Sequence, residues 1–342
     1  MKSWLITLAV ALALPAQADP LSRPARESAL VARRLINGLA EAGGTRLVAA
    51  GQRGHIAWSD DAGAHWTQAK VPLSSDLTAL QFTDAVHGFA VGHDGVVLGS
   101  GDGGKTWRKL LDGRAANNLL LRHLKALPAS AAPAPLLAEA ERDVAAGPDK
   151  PFLDLYFSSA QEGIVVGAYN LIFHTADGGE SWTPWFERLD NPRLLNLYSI
   201  RPHGGELFIA GEAGLLLKLD TKTQRFVALD TGYKGSFFGL LSAEDLLIAY
   251  GMRGNARATR DGGKTWQPLS TGLAASITAA SRSTDGAIWL ADQSGAVTVS
   301  RDGGDTFQRV PLPETLPLAA LATQGRQLVL GGARGLRSLP LK

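Results

Sequence analysis

No cysteine occurs among the 342 residues, and only two methionines do. Without thiols there is no disulfide, no thiolate metal site and no thiol nucleophile, and no cysteine to carry a bacterial lipid anchor. An excess of either charge is also missing. The 34 Lys and Arg stand against 32 Asp and Glu, and the net charge of +2 gives no electrostatic case for a nucleic-acid partner. No stretch approaches the roughly 18 apolar residues needed to span a bilayer. The seven histidines, at 55, 65, 87, 93, 123, 174 and 203, show no H-x-x-x-H or other ligand spacing, so neither a metal nor a cofactor is expected.

What is present begins with a short basic start, Met1-Lys2-Ser3, then an apolar stretch from Trp4 to Leu14 and the small-residue site Ala16-Gln17-Ala18. This pattern reads as a cleavable secretory signal over residues 1–18, with a mature chain from Asp19 delivered to the periplasm, extracellular release being the lesser variant. Glycine is abundant, at 39 residues, and it is patterned. S-G-D-G-G-K-T-W covers 100–107, T-A-D-G-G-E-S-W covers 175–182 and T-R-D-G-G-K-T-W covers 259–266, with weaker copies at 59–66 and 300–307.

A second landmark sets the register. The motif G-x-x-G, flanked by apolar runs, occurs at Gly51/Gly54, Gly92/Gly95, Gly211/Gly214, Gly251/Gly254 and Gly332/Gly335, with degenerate forms at Gly167/Asn170 and Asp292/Gly295. Its second members are spaced by 41, 75, 44, 40, 41 and 40 residues, so seven repeats of about 40 residues are present and one step carries an insertion. Each repeat reads as four short strands, as at 78–82, 88–91, 95–100 and 106–110. The expected fold is all-β: a seven-bladed β-propeller with four-stranded blades over residues 19–342, with a helical insertion at 113–150 between blades two and three. The last repeat stops after three strands. Ser28–Arg33 reads as the strand that completes it by pairing with Gly335–Leu341, because open sheet edges are avoided.

The recurring turn resembles the Asp-box, or bacterial neuraminidase repeat. Its aspartates (Asp61, Asp102, Asp177, Asp261 and Asp302) suit Asx turns, and its aromatics (Trp66, Trp107, Trp182, Trp266 and Phe307) suit burial against the hairpin flank. Joining third and fourth strands, these turns are expected at the outer rim as structural elements. Two motifs inside them are coincidental. Residues 99–106 match G-x-x-x-x-G-K-T, but a strand follows where a phosphate loop needs a helix. D-G-G lacks the ligand spacing of a calcium loop. The Asp-box also opens the alternative of an exported sialidase-like glycoside hydrolase, or a lectin, using the central channel. Against the hydrolase, no F-R-I-P-type start is present and only five tyrosines (156, 169, 198, 233 and 250) could supply a nucleophile.

The G-x-x-G hairpins ring the opposite mouth of the channel. Three carry Arg-Gly, at Arg53, Arg253 and Arg334, and His93, Tyr169 and Glu212 are read at corresponding tips. A basic rim suits a carboxylate-bearing partner, because arginine binds carboxylates bidentately. The insertion reads as a helical hairpin, 115–127 and 136–146, lying over this mouth. Its Leu120 and Leu124 either pack on the ring or form a docking surface.

The seven-repeat pattern of G-x-x-G followed by D-G-G-x-T/S-W resembles the photosystem II stability/assembly factor family over about residues 33–342, insertion excepted. That resemblance implies a monomeric, non-enzymatic propeller holding a protein client during membrane-complex assembly, with a basic patch on one face for which Arg53, Arg253 and Arg334 are candidates by position. The missing anchor cysteine and the added hairpin depart from the family pattern. They suggest a different client, such as an inner-membrane transporter or another envelope complex.

Overall fold

Alternation of apolar residues with turn-forming glycines folds the chain into seven small antiparallel sheets, six of four strands and one of three. The computed structural model describes residues 19–128, 130 and 134–341, so the signal segment read at 1–18 lies outside the described residues. Inner strands Ile36–Glu41, Leu77–Phe82, Phe152–Phe157, Leu197–His203, Phe237–Ala243, Ile277–Arg282 and Leu318–Gln324 surround the central channel. Each has a bulge near its start, which sharpens the local twist. Among the described residues no helix is long and apolar enough to cross a membrane.

Side chains on the inner strands join neighbouring blades. Asn37 Nδ2 donates to Leu77 O (2.8 Å), Thr78 Oγ1 to Phe152 O (2.9 Å) and Thr278 Oγ1 to Leu318 O (2.7 Å). In the reverse sense the Ile200 amide donates to Asp154 (2.9 Å) and the Leu240 amide to Ser199 Oγ (3.3 Å). Between blades, separate apolar clusters fill the wedges, so the core is divided among the seams and does not occupy the axis.

The G-x-x-G motif has a two-part steric cause. A Cβ on the first glycine would strike the carbonyl of the residue that leads into the blade's own inner strand: Leu35 O at 1.9 Å from Gly51, and Ser236 O at 2.2 Å from Gly251. The second member adopts positive φ at the tip of a tight turn, and in blades one to five the residue before it does so too. Arg53 has φ 55°, Asp94 58°, Tyr169 53°, Ala213 52° and Arg253 56°. Left-handed backbone is unfavourable for these residues. It is held by hydrogen bonds from the tip amide to the next blade's incoming segment: Arg53 N to Asp76 (2.6 Å), Tyr169 N to Asn196 (2.9 Å) and Arg253 N to Ser276 (3.2 Å).

Closure of the ring differs from the sequence expectation. Ser28–Arg33 is not a strand: Val31–Arg33 forms a single 3₁₀ turn, and the seventh sheet keeps three strands, Leu318–Gln324, Gln327–Gly332 and Gly335–Pro340. The segment reaches blade seven at the hairpin tip rather than the outer edge, where Ala32 O and the Arg33 backbone crowd Gly335. Elsewhere that place is taken by the linker into the next blade, such as Leu73 against Gly54, and residues 32–35 are the linker into blade one. Blades one and seven then join through side chains: Ser338 Oγ donates to Gly63 O (2.9 Å) and Gln324 Nε2 to Gly44 O (2.6 Å). Upstream, the chain is strapped across blade one by Ala25 N to Val71 O (3.1 Å), Ser28 N to Gln68 (2.8 Å) and burial of Leu21. A chain beginning at Arg34 therefore loses buried Leu21 and Val31 and is expected to melt about 3 °C lower, on the order of 2 kcal/mol. An unchanged melting curve would show that the strap carries no stability.

The insertion forms α1 (Gly113–Ala126) and α2 (Ala134–Ala146). Asp112 caps α1 by accepting from Ala115 N (3.1 Å), and Pro135 sits in the first turn of α2, where its missing N–H costs nothing. The hairpin does not cover the mouth. It lies along the seam between blades two and three, with Ala116, Leu120 and Leu124 buried among Phe152, Phe157 and Trp182. His123 Nε2 meets Glu187 of blade three at 2.9 Å. Leu120 and Leu124 are 7% and 1% exposed, so they form core and not a docking surface. An i, i+4 leucine stripe must be covered, and here the propeller's own flank covers it.

Candidate functional site

Two regions concentrate chemistry: the face bearing the G-x-x-G tips, and the channel lumen. On the face, Arg53, His93, Tyr169, Arg253 and Arg334 are all exposed. Turn register separates them. Arg53, Tyr169, Arg253 and Arg334 directly precede the second member of the motif, whereas His93 and Glu212 stand one residue earlier, and Asp94 and Ala213 are the true counterparts of Arg53. Lys150 stacks its ammonium 5.2 Å from the Tyr169 ring while binding Asp143 of α2 at 2.6 Å, which links this tip to the insertion.

The arginines are not spread evenly. Blades one and seven are neighbours, so Arg53 and Arg334 share one seam, and the incoming segment lays Arg33 and Arg34 between them. Arg33 touches the Gly335 turn, and Leu35 O accepts from Gln52 N at 3.2 Å. All four guanidinium side chains are exposed, and the nearby ion pair runs between Arg337 and Glu314. Arg253 stands apart on blade five. Sequence inspection missed Arg33 and Arg34, because that segment was read as a strand at the sheet edge.

The Asp-boxes lie at the other ends of the sheets and contribute nothing to the lumen lining. In the four boxes with paired glycines, the hydroxyl at the start donates to the aspartate and accepts the amide of the second glycine, and the aspartate collects the amide and hydroxyl four residues on; in the 59–66 box Gly63 takes the glycine's place and the His65 ring that of the hydroxyl. For Asp177 these are Thr175 Oγ1 (2.8 Å), Ser181 N (2.9 Å) and Ser181 Oγ (2.5 Å). The Trp182 indole N–H closes the turn on Gly179 O (3.2 Å). The Ser181 hydroxyl and amide bring the Asp177 carboxyl down to about 2. The His65 amide and ring lower Asp61, and the Thr265 and Thr306 hydroxyls lower Asp261 and Asp302. A folded-state pKa below the unfolded value stabilises above about pH 4, and that contribution is lost as pH falls through about 2. The protein is thus expected to keep its tryptophan fluorescence to about pH 3. Ser181→Ala, which removes the main bond to Asp177, should move the acid midpoint upward, and an unmoved midpoint would count against the coupling.

The lumen is a cavity of about 170 Å³ lined by the inner strands. Among the described residues lining it, Asp154 is the only carboxylate, and Arg201 Nη1 binds it at 2.6 Å. Glycoside hydrolysis generally uses two facing carboxylates, or a tyrosine with accessory groups in sialidases. The lumen does not present that pair.

The chain matches the family described as "Photosynthesis system II assembly factor YCF48" over residues 58–125 and 138–236. It is 30% identical over 165 residues to the photosystem II assembly lipoprotein Ycf48 of Synechococcus sp. (strain CC9902), an alignment covering 46% of this chain and 48% of that relative. It is 22% identical over 276 residues to the chloroplastic photosystem II stability/assembly factor HCF136 of Oryza sativa subsp. japonica, covering 71% and 58%. The chain thus aligns with roughly half the length of each relative. Among solved structures, YCF48 bound to a D1 peptide superposes with a TM-score of 0.65 at 15% identity, covering 91% of this chain and 94% of that one. YCF48 from Cyanidioschyzon merolae gives the same score and identity, covering 91% and 96%. At that identity the structural likeness speaks for the fold. Repeat pattern, family match and propeller geometry agree in supporting a photosystem II assembly factor-like family for this chain.

Proposed function

We propose that this protein is a non-catalytic, exported scaffold that holds a protein client through the G-x-x-G face, the client presenting a carboxylate-rich segment of a membrane or envelope complex. The observation that carries this reading is the cluster of Arg33, Arg34, Arg53 and Arg334, drawn from three separate stretches of chain onto one seam and left exposed. Among the described residues none of these four guanidinium groups is in an ion pair, although Asp76 binds the Arg53 amide and Glu314 lies near Arg334, and unpaired arginines favour an anionic partner because their planar fork suits carboxylates. Tyr169 and His93 extend the same face, and Tyr169 is 56% exposed, as contact aromatics are before binding. A solved relative is a YCF48 bound to a D1 peptide, which supports peptide capture by a propeller of this kind. The basic, apolar and small-residue order of residues 1–18 supports placement in the periplasm.

The test is recovery of partners from the periplasmic and membrane fractions of a Gram-negative host by the tagged protein. An Arg53→Glu/Arg253→Glu/Arg334→Glu variant that melts like the wild type is expected to lose the main partner by at least tenfold, and wild-type binding should weaken with added salt. Equal recovery of the same partner by both proteins rejects the basic-face reading.

A further inference from the structure

The two walls of the lumen differ in chemistry. One side, from blades three to five, carries the charged pair Asp154 and Arg201 with Tyr198 and Tyr250, whereas the facing side is uncharged, with alanines such as Ala279 and Ala319 beside Asn37, Thr78 and Thr278. Tyr250 belongs to a second strand, Leu246–Gly251, and reaches the lumen past Gly239 of the inner strand, where a Cβ would lie 2.2 Å from its hydroxyl. Its ring is 7% exposed, and burial pushes the hydroxyl up to about 12, so it stays protonated. Among the described residues that hydroxyl makes no hydrogen bond to protein, and its residue lines the lumen, where a ligand can reach it. The ion pair beside it is also incompletely used. Asp154 takes both Ile200 N (2.9 Å) and Arg201 Nη1 (2.6 Å) on a single oxygen, Oδ2. Arg201 directs Nη1 to that oxygen, to Ile200 O (2.6 Å) and more distantly to Leu155 O (3.4 Å), leaving Nε and Nη2 without an acceptor among the described residues. The Asp154 side chain is 6% exposed.

The unused groups are thus several N–H and O–H donors and one carboxylate oxygen, around a space comparable to engineered cavities of about 150 Å³ that hold a benzene-sized guest. A simple anion placed there would meet the donors but face the Asp154 carboxylate. A ligand that offers that oxygen a donor of its own satisfies both. We propose that the lumen binds a small carboxylic acid bearing a hydrogen-bond donor on its α-carbon, a 2-hydroxy or 2-amino acid of about two to four carbons. The ligand carboxylate lies on the free Arg201 N–H groups and the Tyr250 hydroxyl, its α-donor on Asp154 Oδ1, and its alkyl group against Ala279 and Ala319. This binding is independent of the rim and of any protein client.

Titration calorimetry of the full protein with L-lactate, L-alanine and propionate tests it. Binding of lactate or alanine is expected, with propionate at least tenfold weaker because it lacks the α-donor; which of the two binds separates the hydroxy from the amino acid. Tyr250→Phe removes only a hydroxyl that has no protein partner, so the variant should melt like the wild type and bind at least tenfold more weakly. Ala319→Phe places a large side chain where other blades carry Leu153, Tyr198 and Phe238, and should abolish binding by filling the lumen. No heat from lactate or alanine at millimolar concentration, propionate binding as well as they do, or undiminished binding in Tyr250→Phe would each overturn the proposal.

Discussion

Replacing Trp182 by alanine is expected to cost about 3–5 kcal/mol of folding stability, read as a lower urea midpoint with an unchanged slope. The indole is 6% exposed in the seam between blades two and three, edge-on to Phe157 with ring centroids 6.4 Å apart, in the same cluster that receives Leu120 and Leu124. Its removal opens a cavity that strands locked by two ladders cannot collapse to fill, and it also ends the bond to Gly179 O. Trp66→Ala should cost distinctly less, because Trp66 is only half-buried against blade seven. If both substitutions cost the same, the stability of the rim does not depend on how deeply each aromatic is packed.

Asp154→Ala is expected to cost about 2–3 kcal/mol, less than the loss of a fully buried pair because the Arg201 side chain is 40% exposed. The carboxylate holds blade three to blade four through Ile200 N and keeps Arg201 in place on the same wall of the lumen. Its loss leaves a buried amide without an acceptor and a guanidinium without its counter-charge. Adding Arg201→Ala to this variant should therefore cost less than Arg201→Ala costs in the wild type, a coupling of about 1 kcal/mol or more in a double-mutant cycle followed by thermal melting. Strict additivity would mean that the pair is not coupled.

The blades were readable before any coordinates because their requirements are local. A glycine whose missing Cβ would strike a carbonyl, and an aspartate that must collect amides two to four residues ahead, leave a fixed spacing in the chain. Seven copies of that spacing allow the blades to be counted even where Leu219–Phe226 keeps only Asp220 and Phe226. The helices of the insertion were legible from their leucine period for the same reason. Which way those leucines faced was not, since a buried stripe and a docking stripe are written identically; only the flank of blade three decides that Leu120 and Leu124 are core.

Closure and the site are non-local. Ser28–Arg33 has a strand-like composition, but the space left to it lies over the Gly335 turn, where an extended partner for the outer edge cannot run, and a 3₁₀ turn forms there instead. That placement brings Arg33 and Arg34 between Arg53 and Arg334, the latter some 300 residues away in sequence. The lumen follows the same logic: Asp154, Arg201 and Tyr250 come from three blades and share no motif. Repeat number, turn chemistry and strand order thus follow from contacts within about ten residues, which periodicity records. The arginine seam, the open seventh edge and the polar wall of the channel arise when the ring closes, because charge and hydrogen-bonding capacity are then brought together through space and not along the chain.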